Sequence, residues 1–188
     1  MHLLLLSNFG DIFVITESKS SFDIYFMEQA LVEADLAEKN GDVPVGALIV
    51  KNGKTLARAH NMREVLGDVT AHAEIIAIRK AAQAIGSWLL EDCELYVTLE
   101  PCIMCFGAII QARIAQVYFG AFDPKTGACG SLKELAGLSN SSINHHTKFQ
   151  GGILKERCSN KLKHFFQKKR NSAKLKNNIV TGGKENEQ

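Results

Sequence analysis

"DVTAHAEIIAIRK", residues 68–80, sets His72 and Glu74 two positions apart inside what otherwise reads as an amphipathic helix. Residues at i and i+2 of a helix do not face each other, so both can serve one site only under a particular geometry. In the first helical turn, side chains lean toward the N-terminus and can converge on a point beyond the helix end. The stretch is therefore read as the start of a helix over 70–85, with Asp68 or Thr70 as its cap and a site lying end-on to it. Ile75, Ile78, Ala82 and Ile85 share one face of that helix, and Gly86 is placed to end it.

Working outward, apolar residues recur at helical spacing from Phe22 to Lys39 and stop at Asn40-Gly41. "VPVGALIVKNGKTLARAH" reads as a hairpin turning at Asn52-Gly53, since both residues tolerate positive φ. "CELYVTL" is a strand that delivers the chain to Glu100-Pro101. A helix from about Pro101 to Gln111 follows, because proline suits the first helical position. "AQVYFGA" is a further strand. A short helix is expected near 131–136, then a polar loop, "GLSNSSINHH". The last helix carries Leu154, Cys158, Leu162 and Phe165 or Phe166 at fourfold spacing. Alternating helices and strands predict a layered α/β domain, with helices on both faces of a mixed sheet. The strand order is not contained in this pattern.

The chain has 188 residues, 46% of them hydrophobic and 22% charged, which suits one domain with a substantial core and excludes a disordered or disulfide-stapled chain. The organisation expected is an N-terminal extension over 1–20, a domain over 21–170 and a disordered polar tail over 171–188. Residues 1–20 lack a basic n-region and a cleavage pattern and are too short to span a membrane, so no membrane association is expected. Five cysteines, odd in number and without framework spacing, point to a reducing compartment, the cytoplasm. The net charge of +2 hides an asymmetry. Ten Lys or Arg against one acid between Lys148 and Lys176 give +9 there, and the other 12 basic and 19 acidic residues give −7. A basic strip of this kind is a candidate polyanion contact and equally a solvated helix face.

"EPCIMC" places Cys102 and Cys105 at the start of a helix. A lone Cys-x-x-Cys also fits a redox pair or inert thiols. Adding His72 favours zinc, whose usual ligands are thiolate and imidazole. Three protein ligands leave a coordination position for water, the arrangement of a catalytic zinc, whereas a fourth ligand closes a structural one. Cys93, Cys129 and Glu74 are the alternatives for closure. Cys93 lies at the far end of its strand and Cys129 in a loop, so both are weaker ligands. Glu74 is read as the carboxylate that shuttles a proton beside an activated water.

His72-Ala-Glu74 followed by Pro101-Cys102-x-x-Cys105 resembles the zinc-dependent nucleoside and nucleobase deaminases. Within them the chain is similar to the bacterial tRNA-specific adenosine deaminases over about residues 22–170, through "VPVGALIV", "HNMR", "AHAEIIAIRK", "LYVTLEPCIMC", "FGAFDPKTGACGSL" and "GGILKERC…FFQKKR". The resemblance implies a three-layer α/β/α cytidine-deaminase-like fold around a mixed five-stranded sheet, and a homodimer with one zinc per subunit. It implies conversion of the wobble adenosine of a tRNA to inosine: water activated at the metal attacks C6 while Glu74 protonates the ring and then the departing ammonia. By the same resemblance Asn61 contacts the extruded nucleoside and Asp123 lies in a loop that approaches RNA. Phe165, Phe166, Lys168, Lys169 and Arg170 belong to a helix beside the anticodon stem-loop. Taken alone, Asn61 also fits a turn after a strand, and Asp123 a turn before Pro124. Two rivals share the zinc chemistry or the RNA: a guanine or deoxycytidylate deaminase, which has no use for a +9 strip, and a non-catalytic zinc module that binds RNA, which has no use for Glu74.

Overall fold

The computed structural model describes residues 21–131 and 147–182, the last eight of these as backbone only. All but the first residue of the expected helix near 131–136, the whole "GLSNSSINHH" loop, the extension 1–20 and residues 183–188 of the tail lie outside the described residues. Helix α1 spans Ser21–Lys39. Strands β1 (Gly46–Lys51) and β2 (Lys54–His60) form the expected hairpin, with Asn52 and Gly53 both at positive φ (50° and 69°). They are followed by a one-turn helix, α2 (Arg63–Leu66), and by α3 (Ala73–Ile85). Then come β3 (Cys93–Leu99), α4 (Ile103–Gln111) and β4 (Gln116–Ala121), and finally β5 (Lys148–Gly151) and α5 (Lys155–Gly182).

The five strands form one mixed sheet in the order β2-β1-β3-β4-β5, antiparallel across β2-β1-β3 and parallel across β3-β4-β5. Strand alternation sends Ala47, Ile49, Leu95, Val97, Val117 and Phe119 to one face, where α3 and α4 pack, and Leu48, Val50 and Tyr96 to the other, where α1 and α5 pack. The result is the three-layer α/β/α arrangement. Gly46 allows α1 to lie close to β1, because a Cβ there would collide with the Ala30 carbonyl and the Glu33 side chain.

Four local readings change. The face of α3 that is fully buried carries Ala73, Ala77 and Ala81, while Ile76, Ile78 and Ile85 are only partly buried beside the core. Small residues let the helix sit close on the sheet, and the isoleucines fill its flanks. β5 was not visible in the pattern, because "KFQG" carries a single large apolar residue and is held by pairing with β4. Helix α4 begins at Ile103, two residues after Pro101. The backbone from 171 to 182, expected to be disordered, continues α5 as helix, in keeping with the absence of Gly and Pro between Lys155 and Thr181.

Candidate active site

His72 is the N-cap of α3 and Cys102 the N-cap of α4, both with extended backbone (φ −75°, ψ 152° and φ −75°, ψ 173°). The i, i+2 question is resolved by this backbone: His72 stands just outside the helix, so it and Glu74 are not bound by helical spacing. Neither Asp68 nor Thr70 caps α3. The Asp68 carboxylate instead accepts from the Thr70 N–H and hydroxyl at 2.8 and 2.7 Å, which shapes the turn before His72.

The two helix starts bring three donors together. Cys105 Sγ lies 3.5 Å and Cys102 Sγ 3.7 Å from His72 Nδ1. All three ligand atoms fall within 4.8 Å of one another, and among the described residues no fourth His, Cys, Asp or Glu joins the group. One imidazole nitrogen and two sulfurs within this span fit zinc by donor chemistry and by count, with a position left for a non-protein ligand. Cys93 and Cys129 do not close the set: Cys93 opens β3, and the Cys129 thiol is turned to the Pro101 carbonyl, 3.9 Å away.

The three donors share protons with one another in the absence of a metal. The Cys102 thiol is pulled below the ordinary thiol range, first by a hydrogen bond from Cys105 and then by His72, whose own pKa is raised by Cys102. The Cys105 thiol is pushed up, because its proton is shared with Cys102 and the group is buried. Glu74 is 4% exposed, and desolvation raises its carboxyl above the usual carboxylate range, with His72 opposing. A carboxyl shifted in that direction holds a proton more readily than an exposed one, which suits a group that takes up and passes on a proton.

A cavity of about 110 Å³ opens on these groups, lined by Val43, Val45 and Leu99 and by Asn61, Arg63, His72, Glu74, Glu100, Cys102, Asp123 and Thr126. Asn61 and Asp123, 62 positions apart, thus meet His72 and Glu74 in one cleft. The Asp123 carboxylate also organises its own loop, accepting from the Lys125 N–H at 2.9 Å and the Thr126 hydroxyl at 2.5 Å. Phe165, Phe166, Lys168, Lys169 and Arg170 do not line the cavity; they lie on α5. Phe165, expected to touch RNA, is 5% exposed, whereas Phe166 is 44% exposed. Lys168 pairs with Glu38 of α1, and Lys169 sits 5.3 Å over the Phe165 ring.

Sequence reasoning missed Glu100, seen there only as the end of a strand. It is 2% exposed, and Oε1 accepts from the Cys129 and Ser131 N–H groups (3.0 and 2.9 Å), Oε2 from the Asp123 N–H (2.9 Å) and the Ser131 hydroxyl (2.5 Å). One buried carboxylate therefore pins the loop that carries Asp123. Gly127 allows it, since a Cβ there would overlap the Glu100 carboxyl. Asp42, also missed, bonds to Asn61.

Residues 20–121 match the model of the cytidine and deoxycytidylate deaminase zinc-binding region. A tRNA-specific adenosine deaminase of Bacillus subtilis (strain 168) is 46% identical over 152 residues, which cover 81% of this chain and 93% of that protein. One of Aquifex aeolicus (strain VF5) is 47% identical over 156 residues, 83% of this chain and 97% of that protein. A solved structure from work on A-to-I editing by tRNA:A34 deaminases at the wobble position of transfer RNA superposes with a TM-score of 0.69 at 44% identity, covering 73% of this chain and 99% of that one.

Proposed function

This chain belongs to the cytidine and deoxycytidylate deaminase family, and we propose that within it the protein is a tRNA adenosine deaminase, hydrolysing the wobble adenosine A34 to inosine with release of ammonia. The observation that carries the reading is the convergence of His72, Cys102 and Cys105 beside a buried Glu74 in a cleft that Asn61 and Asp123 also line. Zinc is the cofactor: His72 and the two cysteines hold it, and when bound it supplies the Lewis acidity that makes water nucleophilic near neutral pH.

The chain's own groups do the rest. Glu74 takes up the proton that water gives up, delivers it to the adenine ring and then assists the departing amino group. Its burial excludes bulk water from that exchange. Asn61 contacts the extruded base, and the apolar side chains of Val43, Val45 and Leu99 flank it. Glu100 holds the 123–131 loop, so that Asp123 stands at the RNA side of the cleft. An anticodon loop is a fitting substrate because its bases are already unpaired, which lowers the cost of extrusion.

The RNA backbone runs along α5, where Phe166, Lys169 and Arg170 meet it; Phe165 supports them from beneath. Binding through such cations weakens with salt. The catalytic domain covers 21–170, and the enzyme works in the cytoplasm as a homodimer. The homodimer is supported by the exposure of the large apolar side chains Val65, Leu66 and Val69, in the segment leading to α3, and Ile103, at the start of α4; among the described residues no helix is long and apolar enough to cross a membrane.

The test is nucleoside mass spectrometry on a tRNA with adenosine at the wobble position, incubated with zinc-loaded protein and, in parallel, with Glu74→Ala. Inosine that forms with the first and not with the second establishes reaction, substrate and proton carrier together. Absence of inosine from a zinc-loaded protein that retains the RNA rejects the assignment, and guanine and deoxycytidylate become the substrates to try.

A further inference from the structure

Asp42 has no exposed surface, and its three partners are all N–H donors. Oδ1 accepts from Asn61 Nδ2 at 2.9 Å, and Oδ2 from the backbone N–H groups of Glu64 and Val65 at 3.1 and 3.2 Å. The end of α1 puts it there: after Asn40 the chain turns through Gly41 (φ 81°), and the Asp42 N–H bonds back to the Ala37 carbonyl at 3.0 Å.

A carboxylate accepts and does not donate, so the Asn61 carboxamide must turn its NH2 toward Asp42. The Asn61 backbone is fixed as well, by a 2.9 Å bond to the Val45 carbonyl. Asn61 Oδ1 has no protein partner among the described residues. Because no buried side-chain N or O there lacks one, that oxygen is open to the cleft that Asn61 lines. Oδ2 performs a second task. Helix α2 is four residues long and its N-cap, Met62, supplies no side-chain bond, so Asp42 is what satisfies its first N–H groups. Arg63, also on the cleft, is carried by this helix.

We propose that Asp42 is a positioning residue for deamination, which locks the Asn61 carboxamide in one orientation so that its carbonyl and remaining N–H meet the substrate in a fixed order. The inference rests on the reading of Asn61 as the residue that contacts the extruded nucleoside.

Asp42→Asn keeps the shape but offers either an oxygen or an NH2 to Asn61, which is then free to turn over. In the wobble-adenosine assay the expected result is a drop in kcat/KM of roughly ten- to a hundredfold, with zinc per chain unchanged. In an Asn61→Ala background the same substitution is expected to cost less than about twofold, as for two residues acting through one contact. A second readout needs no turnover: the side-chain amide resonances of Asn61, followed by 15N NMR, are expected to shift in Asp42→Asn. Should that variant not fold, Asp42→Glu, which displaces the acceptor by one methylene, replaces it in both measurements. An equal loss in the two backgrounds, or unchanged Asn61 resonances, overturns the proposal. Failure of the parent protein to make inosine instead removes the functional reading beneath it, a result distinct from either.

Discussion

The cleft and the α1–α5 helical layer use carboxylates in opposite ways. At the cleft, Glu100 in its lining and Asp42 behind Asn61 are at most 2% exposed and are answered by neutral N–H and O–H donors. Across α1 and α5 the carboxylates of Glu28, Asp35 and Glu38 pair with Arg157, Lys161 and Lys168 in contacts that solvent reaches. A desolvated carboxylate with a fixed set of donors penalises any change that leaves one of them unpaired, by about 1 to 3 kcal/mol. An exposed ion pair contributes about 0.2 to 1 kcal/mol and weakens in salt. The first arrangement holds atoms in place for chemistry, and the second docks one helix on another. It also means that part of the +9 strip is balanced within the protein, which leaves fewer of its cations for RNA.

The largest effects are expected at the metal and the proton carrier. Cys105→Ala should leave less than about a tenth of the zinc bound and no measurable inosine, because two ligands do not hold the ion tightly; metal analysis by mass spectrometry alongside the tRNA assay checks both. Glu74→Gln should keep the zinc and lower kcat by roughly a hundred- to ten-thousandfold, the usual contribution of proton transfer. Zinc lost together with Glu74 would make it a ligand and close the site.

Next in size is Glu100→Gln, which sets an NH2 against one of the N–H donors now bonded to the carboxylate. A loss of about 2 kcal/mol, or a Tm lower by about 4 to 8 °C, should come with weaker deamination, since the loop from Asp123 to Ser131 depends on it. Thermal melts and the inosine assay on one preparation test the link. Stability lost with activity intact would separate the loop from the reaction.

What the sequence made legible was local. His72 and Glu74 sit at one helix start and Cys102 and Cys105 at another, so short spacings carry the chemistry, and Asn52-Gly53 and Gly86 mark their turns by backbone preference alone. The parts not legible depend on distant partners. Asp42 and Glu100 bond to groups 19 to 31 positions away, and backbone N–H groups leave no mark on composition. The acids that neutralise Arg157, Lys161 and Lys168 lie 126 to 130 positions upstream. A four-residue edge strand such as β5 is defined by its neighbour, and the preference of α3 for its alanine face follows from how closely it meets the sheet.

The same contrast predicts how the strip divides. Lys168→Ala removes a cation already paired with Glu38, so it should change tRNA affinity by less than about twofold and stability by about 0.5 kcal/mol. Arg170→Ala should weaken binding more, by roughly threefold to tenfold at low salt, and flatten the dependence of affinity on salt. Titrations of a labelled anticodon stem-loop at several salt concentrations separate the two. Equal effects would mean that the Glu38 pair opens when RNA binds.

The smallest effect falls where the helical layer departs from its own rule. Tyr96 OH lies 3.1 Å from Asp23 Oδ1 and 3.3 Å from Glu94 Oε2, beneath the start of α1. Its hydrogen can serve only one carboxylate at a time. Burial raises the Glu94 carboxyl above its usual range, the Tyr96 bond lowers it, and the Asp23 charge adds to the rise. A carboxyl whose pKa is raised by folding favours the native state below its unfolded pKa, and that contribution is lost as pH climbs through the folded value. At pH 7 the ionised group therefore works against the fold. Glu94→Gln, which keeps an acceptor for Tyr96 without the charge, should raise Tm at pH 7 by about 1 to 2 °C, and the gain should vanish as the pH falls toward the ordinary carboxylate range. Melting curves across that window decide it: a gain independent of pH would trace to packing, and a loss at pH 7 would mean that the Glu94 charge is compensated by its surroundings.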